Sequence, residues 1–81
     1  MNMRDLVELI AKKLVDNPDQ VKVNEVKGEH TNVIELRVAH SDIGKVIGKR
    51  GNTISAIRTI LSNVGMKKGC RYVVEILEDE E

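Results

Sequence analysis

The sequence predicts an α+β fold in the order α-β-β-α-α-β, a three-stranded mixed sheet with its helices packed on one face. Three observations carry this. Apolar residues recur at helical spacing in two stretches, Met3 to Leu14 and Ile54 to Val64. Between them, Ile34, Leu36 and Val38 alternate with Glu35, Arg37 and Ala39, the pattern of a strand with one buried face. A β-rich run, Cys70-Arg71-Tyr72-Val73-Val74-Glu75-Ile76-Leu77, follows the second helical stretch.

The elements follow in order. Met3, Leu6, Val7, Ile10 and Leu14 form one helical stripe with Arg4, Glu8 and Lys12 opposite, which predicts a helix over 3–16. Asn2 is placed to cap it, and Asn17-Pro18 ends it, because a residue before proline is pushed out of helical geometry. Val21, Val23 and Val26 mark a short strand whose imperfect alternation suits a sheet edge. Gly28-Glu29 is a turn, so this strand and the next pair as an antiparallel hairpin. Ser41 or Asp42 caps a helix of little more than one turn, 43–47. The long helix after Gly51 is expected to end near Gly65, leaving a basic loop, Met66-Lys67-Lys68-Gly69, before the last strand. A crossover through two helices makes the second and third strands parallel neighbours, so the middle strand is shared. The chain divides into one domain over 1–77 and an acidic tail over 78–81 that has nothing apolar to dock.

Composition narrows the function. With 81 residues and 41% hydrophobic content, the chain supports one modest core. Tyr72 is the only aromatic residue, which excludes stacking on exposed rings as the main binding device. A lone Cys70 allows no internal disulfide and suits a reducing compartment. His30 and His40 stand ten residues apart with no second ligand pair at metal spacing, so no metal or cofactor is expected. The start of the chain has no long apolar core, which predicts neither a signal peptide nor a membrane span and makes the cytoplasm the expected setting. The net charge of zero hides a segregation. Between Ile43 and Val74 there are seven basic residues (Lys45, Lys49, Arg50, Arg58, Lys67, Lys68, Arg71) and no acidic one. All thirteen carboxylates lie outside that window, and local sign governs attraction to a polyanion more than net charge does.

The organising stretch is Val46-Ile47-Gly48-Lys49-Arg50-Gly51-Asn52-Thr53-Ile54. It sets a Gly-x-x-Gly turn with two basic middle residues between apolar flanks. The glycines permit a tight turn and a close approach, and the following helix offers free N–H groups and a positive dipole end to a phosphate.

Ile43-Gly44-Lys45-Val46-Ile47-Gly48-Lys49-Arg50-Gly51-Asn52-Thr53-Ile54, with the element order, resembles a KH domain of the type II arrangement over nearly the whole chain. Its size and lack of any other domain are similar to the small bacterial single-KH (KhpA-like) RNA-binding proteins. The resemblance implies a groove for about four single-stranded nucleotides, their backbone clamped by the loop. Position by position, Gly48, Lys49, Arg50 and Gly51 would hold phosphates, and Ile43, Gly44, Val46 and Ile47 would floor the groove. Ile54 belongs to the core. Charge alone adds Lys45, Arg58, Lys67 and Lys68. The resemblance also implies association with a second copy or with a larger KH-containing protein. Ile60, roughly 80° off the centre of its helical stripe, is the residue expected at that interface.

Enzymatic readings fail on spacing. Ile43 stands where a P-loop needs its first glycine and Arg50 where it needs Ser or Thr. Neither a Ser–His–Asp set nor a carboxylate pair suits a pocket in so small a domain. A KH-shaped protein-interaction adaptor with no direct nucleic-acid role is the alternative, and it has no use for Lys49 and Arg50. A short groove with few cationic contacts and no aromatic stacking should bind weakly, with little sequence preference, and gain from pairing two domains.

Overall fold

The computed structural model describes residues 1–78. Its elements are α1 (Met3–Leu14), β1 (Lys22–Lys27), β2 (Thr31–Val38), α2 (Ile43–Ile47), α3 (Asn52–Lys68) and β3 (Arg71–Glu78). The sheet runs β1-β2-β3, with β1 antiparallel and β3 parallel to the shared β2. The expected α+β topology is therefore realised, and the type II order with it.

All three helices cover one face of the sheet. The core joins Val23, Ile34, Leu36, Val38 and Val74 from the strands to Val7, Ala11, Val46, Ile54, Ile57 and Leu61 from the helices. Each large apolar side chain so buried contributes about 1.5–3 kcal/mol. On α1 the buried line is Met3, Val7 and Ala11, continued by Val15 beyond the helix. Leu6 and Ile10 pack at its margin. The sheet draws the helix in along its smaller residues, a rotation that the positions of its leucines and isoleucine do not reveal.

Asn2 caps α1 as expected, its side-chain oxygen accepting from the Asp5 amide at 2.8 Å. The helix ends at Leu14, two residues before the expected stop, because the next amides have a better partner. The Asp16 and Asn17 amides donate to the carboxylate of Asp42 at 3.2 and 3.0 Å, and the Asn17 side-chain amide donates to it at 3.0 Å. Asp42 is fully buried. It therefore serves as an anchor between the exit of α1 and the entry of α2, and it makes no capping bond to the helix it precedes.

The end of α3 also differs from expectation. Gly65 is a buried helical residue, and the helix continues to Lys68. A Cβ at Gly65 would meet the Cys70 carbonyl oxygen and lie 3.2 Å from the Tyr72 ring. The glycine is thus a point of close approach for the returning chain. The stop is Gly69, in the left-handed region with φ 73° and its N–H shared by the Gly65 and Met66 carbonyls. Lys67 and Lys68 form the last helical turn, where they complement the helix dipole. At the other terminus β3 takes in Glu78, whose carbonyl accepts from Arg37 Nη1 at 3.0 Å. Residues 79–81 of the expected tail lie outside the described residues.

Both outer strands carry an arginine on their free edge. Arg4 Nε donates to the Val23 carbonyl of β1 at 2.9 Å, and Arg58 Nη2 donates to the Val74 carbonyl of β3 at 3.0 Å. Such contacts occupy edge carbonyls that would otherwise be free to pair with another chain.

Asp42 makes the fold sensitive to acid. Burial alone would raise its pKa, but bonds from Asn17 and the Asp16 and Asn17 amides, with Lys45 nearby, hold it below the ordinary 3.8. A lowered folded pKa means that its stabilisation is complete above the unfolded value and is lost as pH falls through the folded one. Asp42→Asn should lower the Tm at pH 7 by roughly 5–10 °C, beyond the few degrees of a surface change. It should also flatten the dependence of Tm on pH below about 4. An unchanged Tm in thermal melts at pH 7 would show that the anchor carries no net stability.

Candidate nucleic-acid interface

The turn between α2 and α3 begins at Gly48, with φ 77° and ψ 173°. Two constraints meet there. Positive φ disfavours any side chain, and a Cβ would lie 2.6 Å from Thr53 Cβ and 2.9 Å from the Thr53 amide nitrogen. Lys49 to Gly51 form a single 3-10 turn, closed by the Gly51 amide donating to the Gly48 carbonyl at 3.1 Å. Within it Arg50 has φ 58°, the one non-glycine residue with positive φ among those described. The left-handed region costs an L-residue about 1–2 kcal/mol, so strain is stored at the loop tip. Lys49 and Arg50 are both exposed. The amides that open α3 receive no side-chain cap.

The candidate floor residues divide. Gly44 and Ile47 are exposed, the latter by 37%, and Ile43 is half-buried against the core. Val46 is fully buried, its side chain turned into the core by the same helical turn that leaves Ile47 outside. It can support the floor only from beneath, which corrects the expectation that a base would lie against it. Lys45 is likewise committed elsewhere, with Nζ 3.2 Å from Asp16 and 3.7 Å from Asp42. Its charge braces the α1–α2 junction. Ile54, as expected, is core.

Among the described residues, no carboxylate lies within ion-pair distance of Lys49, Arg50, Arg58, Lys67, Lys68 or Arg71. On α1, by contrast, Arg4 and Lys12 are neutralised by Asp5 and Glu8. Ile60 is 46% exposed on α3, with exposed Ala56 one turn before it and half-buried Val64 one turn after.

One feature went unread in the sequence. A cleft of about 350 Å³ lies between α3 and the outer edge of β3, lined by Arg58, Ser62, Arg71, Tyr72, Val73 and Val74. Arg71 counts among the seven clustered cations, but nothing in its spacing placed it in one cleft with Arg58. Burial pushes the Tyr72 hydroxyl above its ordinary pKa of 10.0, so this group is protonated at neutral pH.

The model of the KhpA/KhpB KH domain matches residues 4–76. The chain belongs to that family. It is 58% identical over 76 residues to the RNA-binding protein KhpA of Aquifex aeolicus, covering 94% of this chain and 96% of the relative. It is 49% identical to the RNA-binding protein KhpA of Chlamydia caviae, over 96% of this chain and all of the relative. The RNA-binding protein KhpA of Clostridium perfringens is 51% identical, over 93% of this chain and all of its own length. The KhpA/KhpB family is not an enzyme family, in agreement with the failed catalytic spacings.

In this KhpA/KhpB-type loop the two glycines should differ in what they tolerate. A Cβ at Gly51 meets open space, so Gly51→Ala should cost only the left-handed penalty, about 1 kcal/mol. Gly48→Ala adds the collision with Thr53 and should cost at least about twice that. Urea denaturation of the two variants measures the difference, and equal costs would mean that Thr53 moves aside freely.

Proposed function

We propose that the chain is a single KH domain over 1–77 that binds single-stranded RNA weakly and with broad specificity in the cytoplasm. Gly48, Lys49, Arg50 and Gly51 hold the phosphates, and Ile43, Gly44 and Ile47 carry the bases above Val46. The observation that carries this reading is the loop itself. Two exposed cations without described carboxylate partners stand on a strained turn, beside the uncapped amides of a 17-residue helix. The names of the relatives support RNA over single-stranded DNA. Weak, broadly specific binding suits an RNA chaperone or a post-transcriptional regulator.

Titration with single-stranded RNA at two salt concentrations tests it. Replacing Lys49 and Arg50 together by Asp should cost under about 1 kcal/mol of stability, as for other exposed positions. Binding should fall a hundredfold or more, because two attractions give way to two repulsions at roughly 1.4 kcal/mol per decade. The salt slope should shrink by about one to two units as fewer counterions are released. A folded double variant with unchanged affinity and salt dependence would sink the proposal and favour the adaptor reading.

Weak single-groove binding gains from association, through effective concentration. The exposed line of Ala56, Ile60 and half-buried Val64 supports α3 as the contact with a second copy or with a larger KH-containing protein. Ile60→Asp should yield a folded monomer, because it buries a charge only in the associated state. Sedimentation gives the oligomeric state and circular dichroism the fold. Unfolding would assign Ile60 to the core, and an unchanged oligomer would remove the interface.

A further inference from the structure

The helices cover one face of the sheet and leave the other open. Strand alternation and register arrange that open face in cross-strand rows. Val26, Val33 and Val73 stand side by side in one of them. Val26 is 49% exposed, and Val33 and Val73 are half-buried. Two residues along the strands in one direction lie Asn24, Glu35 and Glu75, and two residues along in the other lie Thr31 and Arg71.

The charges on either side of the valine row are poorly served within one copy. Glu35 and Glu75 are direct neighbours on adjacent strands, and like charges so placed destabilise a sheet. Asn24 donates to Glu35 at 3.2 Å. Among the described residues, no cation lies within ion-pair distance of Glu35 or Glu75, and no carboxylate within that distance of the exposed Arg71.

A two-fold axis running along the valine row, between two stacked sheets, satisfies these groups together. It lays each valine of one copy on the same valine of the other. Arg71 and Glu75 stand at equal distances on either side of Val73, so the axis also lays Arg71 of each copy over Glu75 of the other. On β2 it brings the Thr31 hydroxyl, a donor, over Glu35. A surface that complements itself in this way is what a contact between identical subunits requires. Stacked sheets also pack face to face with their strands nearly aligned, about 10 Å apart. We propose that the open face of the sheet is a docking surface for a second copy of this chain. The contact is distinct from the one assigned to α3, because the helices and the G-x-x-G loop occupy the opposite face. It does not depend on RNA binding. The overlapping area, three strands wide and roughly six residues long, measures about 14 by 20 Å. That is well below the roughly 800 Å² each partner buries in a stable complex, so the association is weak and needs a high local concentration.

Sedimentation of the native chain up to millimolar concentration, at low salt, tests it. The average mass should rise with concentration. Arg71→Glu and Glu75→Arg should each weaken that rise at least tenfold, because two ion pairs become two repulsions. An equimolar mixture of the two variants should associate again, since each then supplies the charge the other lacks. The double variant with both changes should associate as the native chain does. Val33→Lys, which puts a charge in the apolar row, should abolish the rise. Circular dichroism identifies any variant that fails to fold, and the mixing experiment and Val33→Lys read the contact independently of each other. A contact through α3 responds to none of these charge exchanges. The proposal is overturned if the native chain does not associate, which leaves the face to a protein of another kind. It is also overturned if the folded variants associate as the native chain does, or if their mixture associates no better than either alone.

Discussion

One buried carboxylate fixes the geometry on which the rest depends. Asp42 is the only charged or polar residue fully enclosed among those described, and its oxygens accept three hydrogen bonds from Asp16 and Asn17. A buried charge persists only when bonded on every side, because leaving it unsatisfied costs more than any single contact returns. That requirement is directional. It stops α1 at Leu14, turns residues 16 and 17 inward, and holds the residue that precedes α2 against them. Six residues after Asp42 the chain reaches Gly48, so the anchor sets where the loop is presented. Lys45 completes the arrangement, drawn to Asp16 and Asp42.

The loop tip shows the opposite economy. Arg50 lies in a left-handed conformation, and Lys49 and Arg50 extend into solvent with no described carboxylate near them. Neither feature favours the free fold. Such a turn persists because packing on both sides over-determines it: Val46 is locked in the core before it and Ile54 after it. Stability is thus concentrated in the flanks, and the surface between them is left positive, with no ion-pair partner among the described residues.

The sequence made the layers and the topology legible because both follow from periodicity, which is local. Alternation in β2 and helical spacing in α3 survive folding, and the length of the crossover determines which strands run parallel. The misreadings share a cause, namely contacts distant in sequence. Asp42 reads as a cap until residues 16 and 17 are seen against it, 25 and 26 positions away. Gly65 reads as a stop until Cys70 and Tyr72 are seen lying over it. Val46 and Ile47 are adjacent and equally apolar, and only the packing of α2 decides that one is core and the other surface. The G-x-x-G turn was legible as a local motif. The cleft beside it was not, because its two sides belong to different elements.

The two edge arginines bring these points together. Arg4 and Arg58 bond to outward carbonyls on opposite margins of the sheet, and as guards against edge pairing they are equivalent. Their surroundings are not. Arg4 also donates from Nη1 to Asp5 and from Nη2 to Glu8, so its charge is balanced within the fold. Arg58 lies in the 43–74 stretch, which contains no carboxylate, with Arg71 lining the same cleft. The same structural task thus leaves one arginine paired with carboxylates and the other without a described one. The difference lies in which neighbours the sequence supplies: Asp5 and Glu8 stand one and four positions from Arg4, and no carboxylate lies within ion-pair distance of Arg58 among the described residues.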